Sequence, residues 1–157
     1  MRPGSGGVSD VIGASAFRVY DGPMWGRGKV ATARKFFAAL SAGDIAGCAA
    51  LLADDARYID TRGNAIEGRE ACVELLRRLF ARGEVRIAVD SIADRGGYAL
   101  ARGRTLLHDE MLAGEVLWRI RTQGQRIVEV EAHRPDALPT ARVLMPEYLA
   151  GRVAISG

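Results

Sequence analysis

Val30, Ala33, Phe37 and Leu40 fall at the spacing of one helical face, with Phe36 widening the stripe. This pattern predicts a helix over Val30–Ala42, and Gly43 suits its end. Asp44 is placed to cap a second, short helix whose Ile45, Cys48, Ala49 and Leu52 share a face, with Asp54-Asp55 ending it. Ala56–Asp60 then reads as a short strand closed by a turn at Arg62-Gly63-Asn64. A third helix follows Gly68, carrying Cys72, Leu75, Leu76, Leu79 and Phe80 as one apolar stripe.

Beyond Gly83 the period changes to two. Val85, Ile87 and Val89 alternate with polar or small residues, Asp94-Arg95-Gly96-Gly97 turns the chain, and Tyr98–Leu107 forms a long strand. Glu115–Thr122 and Arg126–His133 make a final hairpin around Gln123-Gly124-Gln125. Helices followed by an antiparallel meander define an α+β fold in which a curved antiparallel sheet wraps the N-terminal helices. Three regions are expected: an N-terminal extension over 1–28 that packs in part through Val11, Ile12, Phe17, Tyr20 and Trp25; a main domain over 29–134; and a C-terminal tail over 135–157. Pro135, Pro139 and Pro146 should keep that tail irregular, while Val143, Leu144, Met145, Tyr148 and Leu149 are available to dock on the body or on a second subunit.

Composition narrows the function more than it identifies it. The 157 residues suit one domain, and no apolar run reaches the roughly 20 residues of a transmembrane helix. The N-terminus has no apolar signal core, so a cytoplasmic location is expected, with Cys48 and Cys72 as buried, reduced thiols. The net charge of +3, from 22 basic and 19 acidic residues, is spread along the chain, so no nucleic-acid stripe is expected. With His108 and His133 as the histidines and no cysteine cluster, no metal or cofactor is expected either.

The segment Leu52-Ala53-Asp54-Asp55-Ala56-Arg57-Tyr58-Ile59-Asp60, preceded by Ser41-Ala42-Gly43-Asp44 and followed by Ile66-Glu67-Gly68-Arg69-Glu70, resembles the nuclear transport factor two-like superfamily. That superfamily includes ketosteroid isomerases, limonene epoxide hydrolases and SnoaL-like polyketide cyclases. The resemblance runs from about residue 29 to 134 and implies a cone-like α+β barrel with an internal pocket. It sets Asp60 on the isomerases' general base. Their two oxyanion donors match Phe36 and Val116, neither of which can donate a hydrogen bond. Against the epoxide hydrolases, Tyr58 and Asp60 match the water-positioning pair and Arg102 the arginine, but the two catalytic aspartates fall on Arg104 and Ala132.

Two functions from different classes follow. In the first, the chain is an enzyme that performs cofactor-free proton transfer (isomerisation, cyclisation or elimination) on a small organic molecule. Asp60 would be the base and Tyr58 would orient the substrate. Arg102, Arg104 and Arg134 would hold an anionic or oxygen-rich group, and Trp118, Phe36 and Val116 would supply apolar walls. In the second, the same fold binds a ligand without catalysis or serves as a dimerisation surface. For Asp60 the competing role is a carboxylate bonded to the Thr61-Arg62-Gly63 turn. For Arg102 and Arg104 the alternative has Ala99, Ala101, Gly103 and Thr105 packed inward and the arginines in solvent. The resemblance also implies a homodimer through the outer sheet face, where Glu129, Glu131 and His133 stand against Arg119 and Arg121.

Overall fold

The computed structural model describes residues 28–156. The apolar residues expected of an N-terminal extension lie outside the described residues. The chain runs through α1 (Lys29–Ser41), α2 (Ile45–Leu51), β1 (Leu52–Ile59), β2 (Ala65–Glu67), α3 (Arg69–Phe80), β3 (Arg86–Asp94), β4 (Ala99–Leu106), β5 (Gly114–Gln123), β6 (Arg126–His133), α4 (Thr140–Leu144) and α5 (Pro146–Ser156). The strands form one curved, unclosed sheet in the order β2-β1-β6-β5-β4-β3. The β3–β6 meander is antiparallel, but β1 joins β6 in parallel.

The stripe read from the sequence is the core face of α1: Val30, Ala33, Phe36, Phe37 and Leu40 are all buried. Phe37 packs on Trp118 of β5 with ring centroids 4.9 Å apart, within the range of favourable tilted aromatic pairs. Asp44 caps α2 as expected, accepting the Gly47 N–H at 2.8 Å. The end of α2 differs from expectation. Leu52 already belongs to β1, and Asp54 and Asp55 lie within that strand as exposed residues. A register shift between Leu52 and Arg57 in the pairing with β6 accommodates them.

Two further irregularities escape a strict period of two. In β6 the register slips opposite Arg121 and Thr122, so Ile127 is fully buried and Val128, at the bulge, only half-buried; the inward residue is Ile127. In β3 the slip falls between Val89 and Ser91, opposite Gly103. A Cβ on Gly103 would lie 2.1 Å from the Ala88 carbonyl oxygen, so this close approach requires glycine.

The tail is helical, contrary to the expectation drawn from its prolines. Pro139 sits at the N-cap of α4 and Pro146 opens α5, positions where a missing N–H costs little. Ala141, Leu144 and Met145 are buried in the same core as α1 and α3, so the tail docks on the body of its own chain. Arg78 of α3 fastens it by donating to the Leu144 carbonyl at 3.1 Å and pairing with Glu147.

Candidate functional site

Between the helices and the inner sheet face lies a cavity of about 110 Å³. Its walls are mostly apolar: Phe36 and Leu40 from α1, Cys72, Leu75, Leu76 and Leu79 from α3, Val116 and Trp118 from β5, Val130 and Ala132 from β6, and Leu144 from α4. The sequence placed Phe36, Val116 and Trp118 on this wall, and all three line it. The α3 stripe supplies a complete side of the cavity, which amphipathic periodicity alone identifies only as core.

The polar lining is sparse. Tyr58 of β1 and Thr140 of α4 meet with their hydroxyl oxygens 2.6 Å apart, and both line the cavity. Burial pushes the Tyr58 phenol up to about 12; the hydrogen bond to Thr140 lowers it, the Asp60 charge raises it and the Arg134 charge lowers it. Thr140 was not singled out in the sequence. Pro139-Thr140 signals a helix start, but nothing local to it points toward a tyrosine 82 residues away.

Asp60 is 1% exposed and is not among the residues lining the cavity. Its Oδ1 accepts the N–H groups of Arg62 at 2.9 Å and Asn64 at 3.0 Å. Its Oδ2 accepts the Asn64 side-chain amide at 3.0 Å and the Ala141 N–H at 3.1 Å. A carboxylate has about four lone-pair sites, and these donors occupy them. Asp60 thus ties the β1–β2 turn to the start of α4, and the turn role read from the sequence is the one this geometry matches.

Arg134 does turn inward. Its side chain is 3% exposed and lines the cavity. The guanidinium is held by the carbonyls of Leu112 at 2.7 Å, Ala113 at 2.9 Å and Met111 at 3.4 Å, and by both oxygens of Asp136. Its charge is therefore balanced without a ligand.

Arg102 and Arg104 do not join it in the cavity. Ala99, Ala101, Gly103 and Thr105 face the helices, and both arginines are exposed on the opposite side of β4. This corrects the anion-holding arrangement. Small side chains let α1 approach the sheet, whereas two inward guanidinium groups would have to be desolvated without counter-charges. The two arginines border a recess on the outer face together with Asp90, Glu115 and His133, so that surface carries both signs of charge.

Of the outer-face charges expected to orient a dimer, Glu129 is matched within the chain: Arg121 donates to it at 3.0 Å and Arg57 lies 3.7 Å away. His133 Nε2 lies 3.0 Å from Glu131 without hydrogen-bond geometry. Arg119 and Arg121 stack over Tyr98 at 5.3 and 5.6 Å. Both cysteines are buried and unpaired with each other. Burial raises Cys48 to about 12 and Cys72 to about 11, and Cys72 donates weakly to the Ala56 and Ile66 carbonyls, each at 3.6 Å. Among the described residues no cluster of three or more His, Cys, Asp or Glu is arranged to hold a metal ion, and no helix is long and apolar enough to cross a membrane.

Helices laid across the inner face of an unclosed, curved sheet, with an apolar cavity between them, define a nuclear transport factor two-like cone protein. The chain belongs to the SnoaL-like domain family, whose model matches residues 33–130. Three solved structures share the fold. An LEH-like epoxide hydrolase of M. tuberculosis is 21% identical over 80% of this chain and 96% of its own, with a TM-score of 0.62. A candidate polyketide cyclase from Sinorhizobium meliloti is 17% identical over 66% and 94%, with a TM-score of 0.60. A candidate ketosteroid isomerase from Kribbella flavida is 23% identical over 70% and 79%, with a TM-score of 0.58. No curated protein matched the chain significantly.

Proposed function

We propose that the chain binds a small, uncharged, largely apolar molecule in the cavity between α1, α3 and the sheet. One observation carries this reading: the cavity wall is apolar except for a few groups, and the ionic ones among them already have partners. Apolar enclosure favours a ligand by removing its surface from water, at about 25 cal/mol per Å². A carboxylate entering the same space would lose hydration and meet no unpaired cation among the described residues that line it. An apolar cavity of about 150 Å³ accepts benzene, so this one, smaller but not fully enclosed, sets a five-carbon ring with one small substituent as the upper size of a probe. Titrating the full chain with cyclopentanone and following ¹H–¹⁵N shifts tests the reading. Shifts centred on Phe36, Leu76, Trp118 and Val130 support it, and shifts confined to the outer face around Arg102 and His133 contradict it.

A second reading, cofactor-free proton transfer with Asp60 as base, draws on the burial of that carboxylate and its electrostatic influence on Tyr58. It requires Asp60 to release one of its donors when a substrate enters. Deuterium uptake at the carbons beside the carbonyl of cyclopentanone, measured by mass spectrometry, tests it. Uptake above the buffer rate that is lost in Asp60→Asn supports the reading, and uptake equal to the buffer rate removes it.

A further inference from the structure

We infer that Tyr58 and Thr140 together form the specificity-determining contact of the cavity, one that selects a neutral ligand bearing a single carbonyl or hydroxyl oxygen. The inference rests on the cavity reading above and adds the chemical class of the ligand.

The argument is a hydrogen-bond count. Each hydroxyl carries one O–H donor and two acceptor lone pairs. The two oxygens lie 2.6 Å apart, so one O–H is spent between them, and either residue can be the donor in that bond. If Thr140 donates, the Tyr58 O–H remains; if Tyr58 donates, the Thr140 O–H remains. In both arrangements one hydroxyl proton has no other acceptor among the described residues, and both side chains line the cavity. The pair is part-buried, so water meets that proton until a ligand fills the cavity; an oxygen brought by the ligand then satisfies a group that an apolar ligand leaves unmet. A carbonyl accepts that proton, and an alcohol can also donate to a free lone pair of the pair.

The surroundings oppose an anion at the same point. The nearest charged groups are Asp60, which is acidic and saturated by four donors, and Arg134, which is neutralised by Asp136 and by backbone carbonyls. Arg57, which also lines the cavity, is exposed and faces Glu129. An incoming carboxylate would be desolvated beside Asp60 with no unpaired cation to compensate. The rise of the Tyr58 phenol shows that negative charge is already disfavoured there.

The selection arises where the tail meets the body. Tyr58 stands on β1 and Thr140 is the first residue of α4, whose backbone Asp60 holds through Ala141. The specificity contact therefore exists only when the C-terminal segment is docked.

The test compares cyclopentanone, cyclopentanol, methylcyclopentane and cyclopentanecarboxylate by calorimetric titration on the full chain. The same series is run on Tyr58→Phe/Thr140→Val and on Thr140→Ser, with the fold of each checked by circular dichroism. Comparing ratios between proteins cancels intrinsic differences in hydrophobicity. The ketone-to-hydrocarbon affinity ratio should be roughly three- to tenfold higher in the native chain than in the double variant, the worth of one neutral hydrogen bond. Thr140→Ser, which keeps the hydroxyl, should retain the native ratio. The carboxylate should bind at least about tenfold more weakly than the ketone. An unchanged ratio in the double variant overturns this inference and leaves the cavity reading standing, whereas a carboxylate that binds best overturns this inference and the uncharged-ligand reading together. Failure of all four compounds to bind overturns both.

Discussion

The Oδ2 of Asp60 accepts the backbone N–H of Ala141 at 3.1 Å across 81 residues of sequence. One carboxylate thereby closes the β1–β2 turn and anchors the tail helix that completes the cavity wall. Removing it strands four donors, at least one of them fully buried, and an unmet buried donor costs about 1–3 kcal/mol. Asp60→Ala should lose on the order of 2–4 kcal/mol of stability in chemical denaturation. Asp60→Asn should also lose stability, because its amide N–H₂ would oppose backbone N–H groups. A loss below about 0.5 kcal/mol in both would show that the carboxylate is not structural.

Gly103→Ala probes the register of the inner face. The new methyl would lie 2.1 Å from the Ala88 oxygen, backbone rather than a side chain that can rotate away. The variant should lose about 1–3 kcal/mol or more, the cost typical of overpacking, measured by the same denaturation. A neutral effect would contradict the β3–β4 pairing.

Buried acids shape the alkaline limb. Cys48 and Cys72 are raised from an ordinary value of 9.0 to about 12 and about 11, and Tyr58 from 10.0 to about 12. Each binds its proton more tightly folded than unfolded. The stability they contribute is complete below the unfolded values and is lost as pH rises through 9 to 12. Denaturation midpoints should fall steeply between pH 9 and 11. At pH 8 both thiols should resist a thiol-specific reagent until denaturant is added. Fast labelling of either cysteine in the native chain would contradict their burial.

Acid acts through Asp136 in the opposite sense. Its hydrogen bond with Arg134 lowers it from 3.8 to about 2, partly opposed by desolvation. A depressed value stabilises above the unfolded one, so this contribution is lost as pH falls from about 4 toward 2. Asp136 is 54% exposed, so the effect is screened and small. Asp136→Asn should flatten the stability profile in that window and leave it unchanged near neutral pH apart from a constant offset. An identical acid limb in both proteins would contradict the pairing.

Helix α1 and the inward face of β5 were legible in the sequence because a single long stripe and a clean alternation each leave one way to bury apolar surface. The turn after Asp60 was legible for a similar reason, since Asp, Gly and Asn within five residues are a local signal. Strand β4 was not, because Tyr98 and Leu100 compete with Ala99 and Ala101 for the inside. Packing of the helices on the sheet, a tertiary fact, decides between them, leaving Ala99 and Ala101 fully buried. The bulges near Asp90 and Val128 are one-residue slips, which change the buried set without changing composition. Thr140 was illegible because its role is defined by a partner distant in the chain.

The most direct test uses Trp118, which lines the cavity and is one of two tryptophans, the other being Trp25. In a Trp25→Phe chain, Trp118 emission reports on the cavity alone. Titration with cyclopentanone should give a saturable change, and the added Val116→Phe, which fills the cavity from β5, should abolish it while the chain stays folded. No saturable change in the parent, or an equal change in the filled variant, would contradict a ligand-binding cavity at this site.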